Sequence, residues 1–397
     1  MAQQNTTAQG ELTWGGAANL ASSTTDARRN LYLKLFSGEM FKGFQRNTIA
    51  RDLVTRRTLT NGKSLQFIFT GRTKSEFHVP GQSIMGNTDG APPVAEKTIT
   101  CDDLLISSAF VYELDETLAH YDLRGEISRK IGYALAENYD RRIFRAITKS
   151  ARSASPVSAS NFVEPGGTQI QVGTAGNDAD AALNAGFLVN AFYDAAAALD
   201  EKGVSQDGRV GVLNPRQYYA LINDVSAGVI SNGLINRDAQ GSALQSGQGG
   251  VEIAGIKIYK SMNIPFFSKF GTKYAPSSNA SAATDPATAD PGNTGSFVAE
   301  AMGDQDAVTA PAIGQKTVNE YGAESEFANS CGLIFQREAC GVVEAIGPQV
   351  QVTSGDISVV YQGDVILGRL AMGADSLNPA AAVELFAGTA TKPAAFA

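Results

Sequence analysis

One short motif in the sequence has the composition of a phosphate-binding loop. Asn61-Gly62-Lys63-Ser64 matches the end of the pattern G-x-x-x-x-G-K-[ST], whose backbone N–H groups surround the phosphates of a nucleotide. The first glycine of that pattern would fall at Arg57, where a side chain prevents the close wrapping of the loop. The glycine-rich run at residues 241–250 precedes a strand and does not join a strand to a helix, unlike a dinucleotide fingerprint. We therefore expect no nucleotide cofactor.

The histidines and cysteines are spaced unlike metal ligands or nucleophiles. His78 and His120 each lack a second histidine or cysteine at ligand spacing, and Cys331 and Cys340 form no C-x-x-C pair. No serine occupies the centre of a G-x-S-x-G motif. The sequence predicts no catalytic residue, no metal and no enzyme. The hypothesis of a hydrolase would require two carboxylates that converge in a deep cleft. Such convergence is not visible in a sequence.

Length and charge narrow the class of protein. A chain of 397 residues is long enough for two or more domains, and a net charge of −8 argues against a basic nucleic-acid-binding surface. Residues 1–60 carry a net charge of +4, whereas residues 153–397 carry −12. The basic front could lie on the acidic body of a neighbouring copy, could touch an anionic polymer such as DNA, or could be solvated. Three cysteines predict no disulfide framework, and neither a signal peptide nor a membrane span is expected.

The front of the chain reads as an arm followed by a hairpin-like excursion. Residues 1–28 are too polar to hold themselves in place, so they predict a flexible arm unless a partner orders them. Leu65, Phe67 and Phe69 alternate within a strand at residues 63–69. A second alternating run at residues 104–114 can pair with it antiparallel, and the turn-rich stretch between them holds little core. Such an excursion is expected to lean on another subunit, although a solvated loop is the alternative.

The remaining pattern mixes helices and strands. Apolar residues every four positions predict a long helix at residues 122–151, and a compact α/β region follows at residues 181–261. In that region we expect helices at residues 181–202 and 214–224, a strand at residues 208–213 and a bulged strand at residues 251–261. Residues 225–250 predict a loop, and residues 274–295 a low-complexity insertion. Short strands are expected at residues 332–346, 349–353, 357–361, 365–370 and 382–386.

Several blocks of sequence, in this order, resemble the major capsid protein of T7-like podoviruses. They are Leu31-Tyr-Leu-Lys-Leu-Phe-Ser-Gly-Glu-Met-Phe-Lys-Gly-Phe-Gln-Arg, Asn61-Gly-Lys-Ser-Leu-Gln-Phe, Gly71-Arg-Thr with Val79-Pro-Gly-Gln, His120-Tyr-Asp-Leu-Arg-Gly-Glu, and Ala371-Met-Gly-Ala-Asp-Ser-Leu-Asn-Pro-Ala-Ala-Ala. Each block alone is weak, but together they run collinearly from about residue 31 to residue 385.

The resemblance implies an α+β architecture of the HK97 type. It places an N-terminal arm at residues 1–56, an extended β-hairpin loop at residues 57–103, and a peripheral domain with a long spine helix at residues 104–180. An axial domain follows at residues 181–335, and return strands of the peripheral domain at residues 336–397. The covalent Lys-Asn crosslinks of some relatives with this fold are not expected here.

The resemblance also implies the function of a shell protein in a virion, assembled in the host cytoplasm. Its implied partners are other copies of itself in pentamers and hexamers of a T=7 icosahedral lattice, a scaffolding protein, a portal and packaged double-stranded DNA, with room for a decoration protein. Two alternatives are an encapsulin-type nanocompartment shell and a loop-rich virion adhesin or tail component. The residues expected at contacts between subunits are Arg56, Arg57, Leu65, Phe67, Phe69, Arg72 and His78.

Overall fold

The structure is a computed structural model that describes residues 49–71, 77–81, 94–101, 104–113, 123–159, 162–173, 182–223, 251–261, 263–264, 330–352, 360–387 and 392–394. The described residues divide into two compact units. The first draws on Asp103–Asn138 and Ile346–Met372, and the second on Asn47–Asp102, Tyr139–Ala345 and Gly373–Ala397. Most of the expected arm, the loop at residues 225–250 and the insertion at residues 274–295 lie outside the described residues.

The described residues combine helices and strands, as an α+β fold requires. The helices are α1 (Leu123–Arg152), α2 (Ala185–Glu201) and α3 (Pro215–Asn223). The strands are β1 (Thr55–Thr58), β2 (Ser64–Thr70), β3 (Val94–Thr100), β4 (Leu104–Tyr112), β5 (Ser158–Ala159), β6 (Phe162–Val163), β7 (Thr168–Gln171), β8 (Arg209–Leu213), β9 (Val251–Ile253), β10 (Ile256–Lys260), β11 (Ser330–Gln336), β12 (Cys340–Val352), β13 (Gly363–Ser376) and β14 (Ala382–Phe386).

In the first unit, helix α1 packs on a pair of strands. Residues 104–112 of β4 pair antiparallel with residues 363–371 of β13. Ile131 and Leu135 of α1 form a buried cluster with Val111 and Ile366 from these two strands. Gly368 lies beneath the helix, where a Cβ atom would collide with the side chains of Ile131 and Leu135. The predicted helix at residues 122–151 is confirmed, and its four-residue repeat supplies the buried stripe.

In the second unit, strand β2 forms a hairpin with β3. The register places Leu65 opposite Ile99 and Phe67 opposite Lys97. The expected pairing of residues 63–69 with residues 104–114 is therefore wrong, because that second run pairs with β13. The sequence of β3, Val-Ala-Glu-Lys-Thr-Ile-Thr, carries one large apolar side chain on its inner face, so its alternation is too weak to mark it as a strand.

The main sheet of the second unit has six strands in the order β7-β14-β11-β8-β10-β9. Helices α2 and α3 cover one face of it, and their core includes Phe192 from α2, Leu221 from α3 and Ile334 from β11. Asn184 begins α2 by accepting a hydrogen bond from the Phe187 N–H, and Gly203 follows its end with a φ of 72°. The helices and the strand expected at residues 181–224 are confirmed with slightly shorter bounds.

Three expectations about individual strands need correction. Of the strand expected at residues 357–361, the structure describes only Val360 and Tyr361, and these two residues are helical. Residues 251–261 form an antiparallel pair, β9 and β10, and not one bulged strand. Ala254 and Gly255 both have positive φ angles of 53° and 74°, which is typical of a tight two-residue hairpin turn. The strand expected at residues 332–346 is interrupted by a short 3-10 turn at Arg337–Ala339, and β12 continues through the separate strand expected at residues 349–353. The final strand at residues 382–386 is confirmed.

Candidate assembly interface

The β2–β3 hairpin is attached to its own unit through its inner face. Phe67, which is 7% exposed, packs with Ile99 of β3 and Val343 of β12. Leu59, Leu65 and Leu377 border this cluster and are partly buried. Lys97, opposite Phe67, forms an ion pair of 2.9 Å with Asp375. The inner face is thus already occupied within a single copy of the chain.

The outer face of the hairpin and the segment beyond it expose large apolar side chains. Ile68 is 76% exposed, and Val94 lies diagonally across from it on the same face, 64% exposed. Between the two strands along the chain, Phe77 is fully exposed and Val79 is more than half exposed. We call these four residues the hairpin patch. Scattered apolar side chains are normal on a surface. A phenylalanine and three branched aliphatic residues in the hairpin and its connecting segment, however, indicate a contact surface.

The carboxylate of Glu344 on β12 is contacted by three side chains. Arg51 donates two hydrogen bonds of 3.2 Å to Glu344, Tyr139 donates one of 2.6 Å, and the Arg56 guanidinium lies 3.8 Å away. Burial opposes ionisation of Glu344, but the bonds from Arg51 and Tyr139 outweigh it, so the pKa of Glu344 lies below its usual value. Burial and the same carboxylate raise the pKa of Tyr139. The tyrosine therefore stays a neutral donor and the glutamate an anion.

A second carboxylate joins the hairpin to the end of α1. Asp375 on β13 accepts ion pairs from Lys97 at 2.9 Å and from Lys149 at 3.2 Å. Burial works against its charge, yet the hydrogen bond from Lys97 and the charge of Lys149 hold the pKa of Asp375 below its usual range. One carboxylate thus serves lysines from two elements.

The residues expected at contacts between subunits lie in different surroundings. Arg57 and Phe67 lie together, with the guanidinium carbon 5.0 Å from the ring centroid, and Arg56 reaches Glu344 of its own chain. Leu65 and Phe69 are half-buried on the inner face of β2. His78 is exposed beside Phe77. Arg72 lies outside the described residues.

The exposed members of the hairpin patch were not among the residues expected from the sequence. The alternation that marks Leu65, Phe67 and Phe69 assigns Ile68 to the solvent face, where an isoleucine is anomalous. That anomaly was the available signal for Ile68. Glu344, Asp375 and Tyr139 had no local signal, because their partners lie far away along the chain.

Two further properties of the described residues concern metal binding and membrane spanning. Across the described ranges, no three His, Cys, Asp or Glu side chains are grouped in a way that could hold a metal ion. No helix among these residues has the length and apolar character needed to cross a bilayer.

Comparison with known proteins identifies the family of the chain. A family model described as Gp10A-like major capsid protein matches residues 67–310, well over half of the chain. The chain belongs to the Gp10A-like major capsid protein family. This is a family of structural capsid proteins, and the resemblance to T7-like podoviruses is confirmed.

Two curated relatives come from podoviruses. The major capsid protein of Escherichia phage T7 is 29% identical over 195 residues, which cover 48% of this chain and 56% of the relative. The major capsid protein of Enterobacteria phage T3 is 33% identical over 106 residues, covering 27% of this chain and 30% of the relative. The match thus spans about half of the T7 protein and less of the T3 protein.

Solved capsids share the fold over nearly the whole chain. The capsid structure of the cyanophage P-SCSP1u is 28% identical, with a TM-score of 0.66, and the match covers 96% of this chain and 100% of that one. The bacteriophage PhiM1 mature capsid, 14% identical with a TM-score of 0.59, shows the same fold over 92% of this chain and 94% of that one. The fold of this capsid-family protein is HK97-like, as expected. The nanocompartment and tail-component alternatives gain no support from these matches.

Proposed function

We propose that this protein assembles with itself, as pentamers and hexamers, into the icosahedral shell of a short-tailed phage that encloses double-stranded DNA. The observation that carries the proposal is the hairpin patch, above all the fully exposed Phe77. Membership of a major capsid protein family supports the same function. The β2–β3 hairpin buries its inner face within its own chain and exposes apolar side chains on its outer face. This arrangement favours contact with another copy.

A closed shell needs contacts that join two different surfaces. Heterologous contacts generate rings when their rotation closes, and rings of two sizes can tile a curved surface. The hairpin patch supplies one surface. Four exposed apolar residues of the first unit supply a candidate for the second: Val350, Val352, Val360 and Tyr361.

The remaining assignments follow the family resemblance. We propose the arm at residues 1–56, the extended loop at residues 57–103, the peripheral domain at residues 104–180 with its return at residues 336–397, and the axial domain at residues 181–335. Among the expected contact residues, Phe69, Arg72 and His78 stay proposed for contact with a neighbour. Arg56, Arg57, Leu65 and Phe67 have partners in their own chain, so we propose that they reach a neighbour only through the hairpin that they support.

The proposed partners during assembly are a scaffolding protein and a portal, in the host cytoplasm, with a T=7 lattice and room for a decoration protein on the finished shell. The net charge of −8 supports a container that does not grip its DNA, because strong contact with phosphates would oppose packaging and release.

Expression of the full chain with a scaffolding protein from a related phage, followed by sedimentation and negative-stain electron microscopy, tests the proposal. Closed particles are expected from the natural sequence, and Phe77→Ser should lower their yield at least tenfold while far-UV circular dichroism is unchanged. Phe67→Leu, which keeps the buried site apolar, is the matched control and should still form particles. A chain that stays monomeric at high concentration, or F77S with a normal yield, would contradict the proposal.

A further inference from the structure

The dipeptide Asn61-Gly62 lies in the connection between β1 and β2, and both of its residues are exposed. Gly62 has a φ of 91°, an angle that glycine adopts without strain. Among the described residues, no atom beyond its chain neighbours lies within 4 Å of the place where a Cβ atom would sit on Gly62. The peptide between the two residues is therefore open to water.

Neither the Asn61 side chain nor the Gly62 N–H makes a hydrogen bond with a residue in the described ranges. Asn190 of helix α2 provides a contrast within the same chain. It is exposed as well, but the N–H of Ala191 after it lies inside the helix, where it is bonded to a carbonyl one turn earlier. The amide that follows Asn61 is thus available for reaction, whereas the amide that follows Asn190 is occupied.

An asparagine followed by an available amide can react with its own backbone. The Gly62 amide nitrogen loses its proton and attacks Cγ of Asn61, the Cγ–Nδ2 bond breaks, and ammonia leaves. Water then opens the resulting cyclic imide. Cleavage of the new N–Cγ bond gives aspartate, and cleavage of the bond from the same nitrogen to the main-chain carbonyl carbon of residue 61 gives isoaspartate. Water is the one co-reactant, and glycine favours the attack because it has no Cβ atom to crowd the ring.

The connection that contains this dipeptide is tied at both ends. The Leu59 N–H donates a hydrogen bond of 2.8 Å to the carbonyl of Glu344, and the carbonyl of Lys63 accepts one of 2.9 Å from the Cys101 N–H. Isoaspartate directs the main chain through the former side-chain carbonyl, which adds one CH2 group, or about 1.5 Å of chain, to the connection. The added length has to be absorbed between these two bonds.

We propose that Asn61 is a site of spontaneous deamidation, and that its conversion to isoaspartate loosens the β2–β3 hairpin where it is joined to β1. Three observations carry the proposal: the exposed dipeptide, the available Gly62 amide, and the hydrogen bonds that fix Leu59 and Lys63 on either side. The reaction takes place within a single copy of the chain, so the inference does not depend on assembly.

Peptide mapping of the purified full chain during incubation in mildly alkaline buffer tests the reaction. Trypsin cuts after Arg57 and Lys63, and the peptide between these cuts contains Asn61 as its one side-chain amide. This peptide should gain the mass of an amide-to-acid conversion and separate into an aspartate and an isoaspartate form. Asn190, followed in a parallel chymotryptic digest, should convert at least about tenfold more slowly, because the helix must open first. Equal rates at the two asparagines would overturn the proposal.

Asn61→Gln is the matched variant for the chemistry. Its side chain is one CH2 group longer, so attack by the Gly62 nitrogen would close a larger ring, and N61Q should keep its amide through the same incubation. The natural chain should also convert more slowly in mildly acidic buffer, since the reaction begins with loss of the Gly62 amide proton. Conversion of N61Q at the natural rate, or a rate that does not change with pH, would contradict the backbone attack.

Hydrogen exchange separates the added length from the added charge. Deamidated chains are isolated by anion-exchange chromatography, and their isoaspartate content is measured from the tryptic peptide. The amides of Leu59 and Cys101 should exchange about tenfold faster in the isoaspartate chains, as expected for the loss of one hydrogen bond, while amides of α2 keep their rates. Freshly prepared Asn61→Asp carries the charge without the extra CH2 group and should exchange like the natural chain. Unchanged exchange in the isoaspartate chains, or equally fast exchange in N61D, would overturn the loosening by added length.

Discussion

The guanidinium of Arg57 lies over the ring of Phe67, with its carbon 5.0 Å from the ring centroid. Phe67 is the centre of the small cluster that fastens the hairpin, and Arg57 comes from the strand that runs parallel to β12. The pair thus links β1 to the hairpin within one copy. A cation over an aromatic face at a partly exposed site stabilises by about 0.5 to 1 kcal/mol. Arg57, one of the basic residues in the first sixty positions, therefore stabilises the hairpin of its own chain.

Phe67→Ala should loosen the hairpin from its unit. Removing a buried phenylalanine ring typically costs about 3 to 5 kcal/mol, because the transfer free energy is lost and a cavity remains. We expect a loss near the lower end of that range, since the cluster is small and can partly collapse. Denaturant unfolding of the dissociated chain measures it.

The comparison for that variant is Ile68→Ser on the opposite face of the same strand. Ile68 is mostly exposed, so its replacement should change the free energy of unfolding by less than about 0.5 kcal/mol. A large loss for I68S, or a negligible one for F67A, would show that the faces of the hairpin are assigned the wrong way round.

Reversal of Arg56 to Glu should act first on its own chain. The new carboxylate would lie close to Glu344, so attraction is replaced by repulsion at a partly exposed site, and we expect a loss of about 1 kcal/mol. The loss should shrink as salt is raised, since screening acts on exposed charges. Thermal unfolding across a salt series measures it. A reduced shell yield with an unchanged melting temperature would instead place the Arg56 partner on a neighbouring copy.

Local sequence patterns predict the parts of this fold that repeat along the chain. The stripe from Ile131 to Ile147 marks helix α1, and the final strand at residues 382–386 was equally clear. Strand β3 was missed because its inner face depends on Lys97, whose partner Asp375 is far away in sequence. A charged residue facing inward reads as solvent-exposed until its counter-ion is known.

The candidate site shows the same division. The alternation in β2 predicts the strand and the residues on its inner face, but it does not indicate which face contacts a neighbouring copy. Asp140 accepts hydrogen bonds from the N–H groups of Ile49 and Ala50, about ninety positions away, and nothing in the local sequence suggests this contact. Collinear blocks of the sequence indicate the family, whereas the contacts between distant residues are visible only in the structure.

Glu384→Gln should be strongly destabilising. Glu384 accepts hydrogen bonds of 2.7 Å and 2.6 Å from Arg152, another from Ser330 and one of 3.0 Å from Gln169. The side chains of Arg152 and Glu384 are 2% and 0% exposed, so removing the charge of Glu384 breaks an ion pair that is buried from water. Breaking a buried pair in this way costs about 3 to 5 kcal/mol.

The double variant R152M/E384L distinguishes the cost of breaking the pair from one side from the cost of removing the pair altogether. Replacing both groups by apolar side chains of similar size should cost clearly less than E384Q alone, as measured by denaturant unfolding. Glu338→Gln, at an exposed glutamate, serves as the reference and should change stability by less than about 0.5 kcal/mol. If the double variant lost as much as the single one, the pair would contribute through specific geometry that no apolar packing replaces.

Asp375→Asn should weaken the attachment of the hairpin to its unit, and the size of the effect should depend on pH. The pKa of Asp375 is lowered in the folded chain, so its contribution is fully present above the unfolded value of about 3.9 and disappears as pH falls through the lower folded value. At pH 7 we expect D375N to cost about 1 to 2 kcal/mol, since both lysines are partly exposed. As the pH falls below about 4, the difference between D375N and the natural chain should narrow. Melting temperatures of both dissociated chains, from pH 7 down to about pH 2.5, measure this narrowing. If the difference in melting temperature between D375N and the natural chain stayed constant across the acid range, Asp375 would not be the charge that holds Lys97 and Lys149.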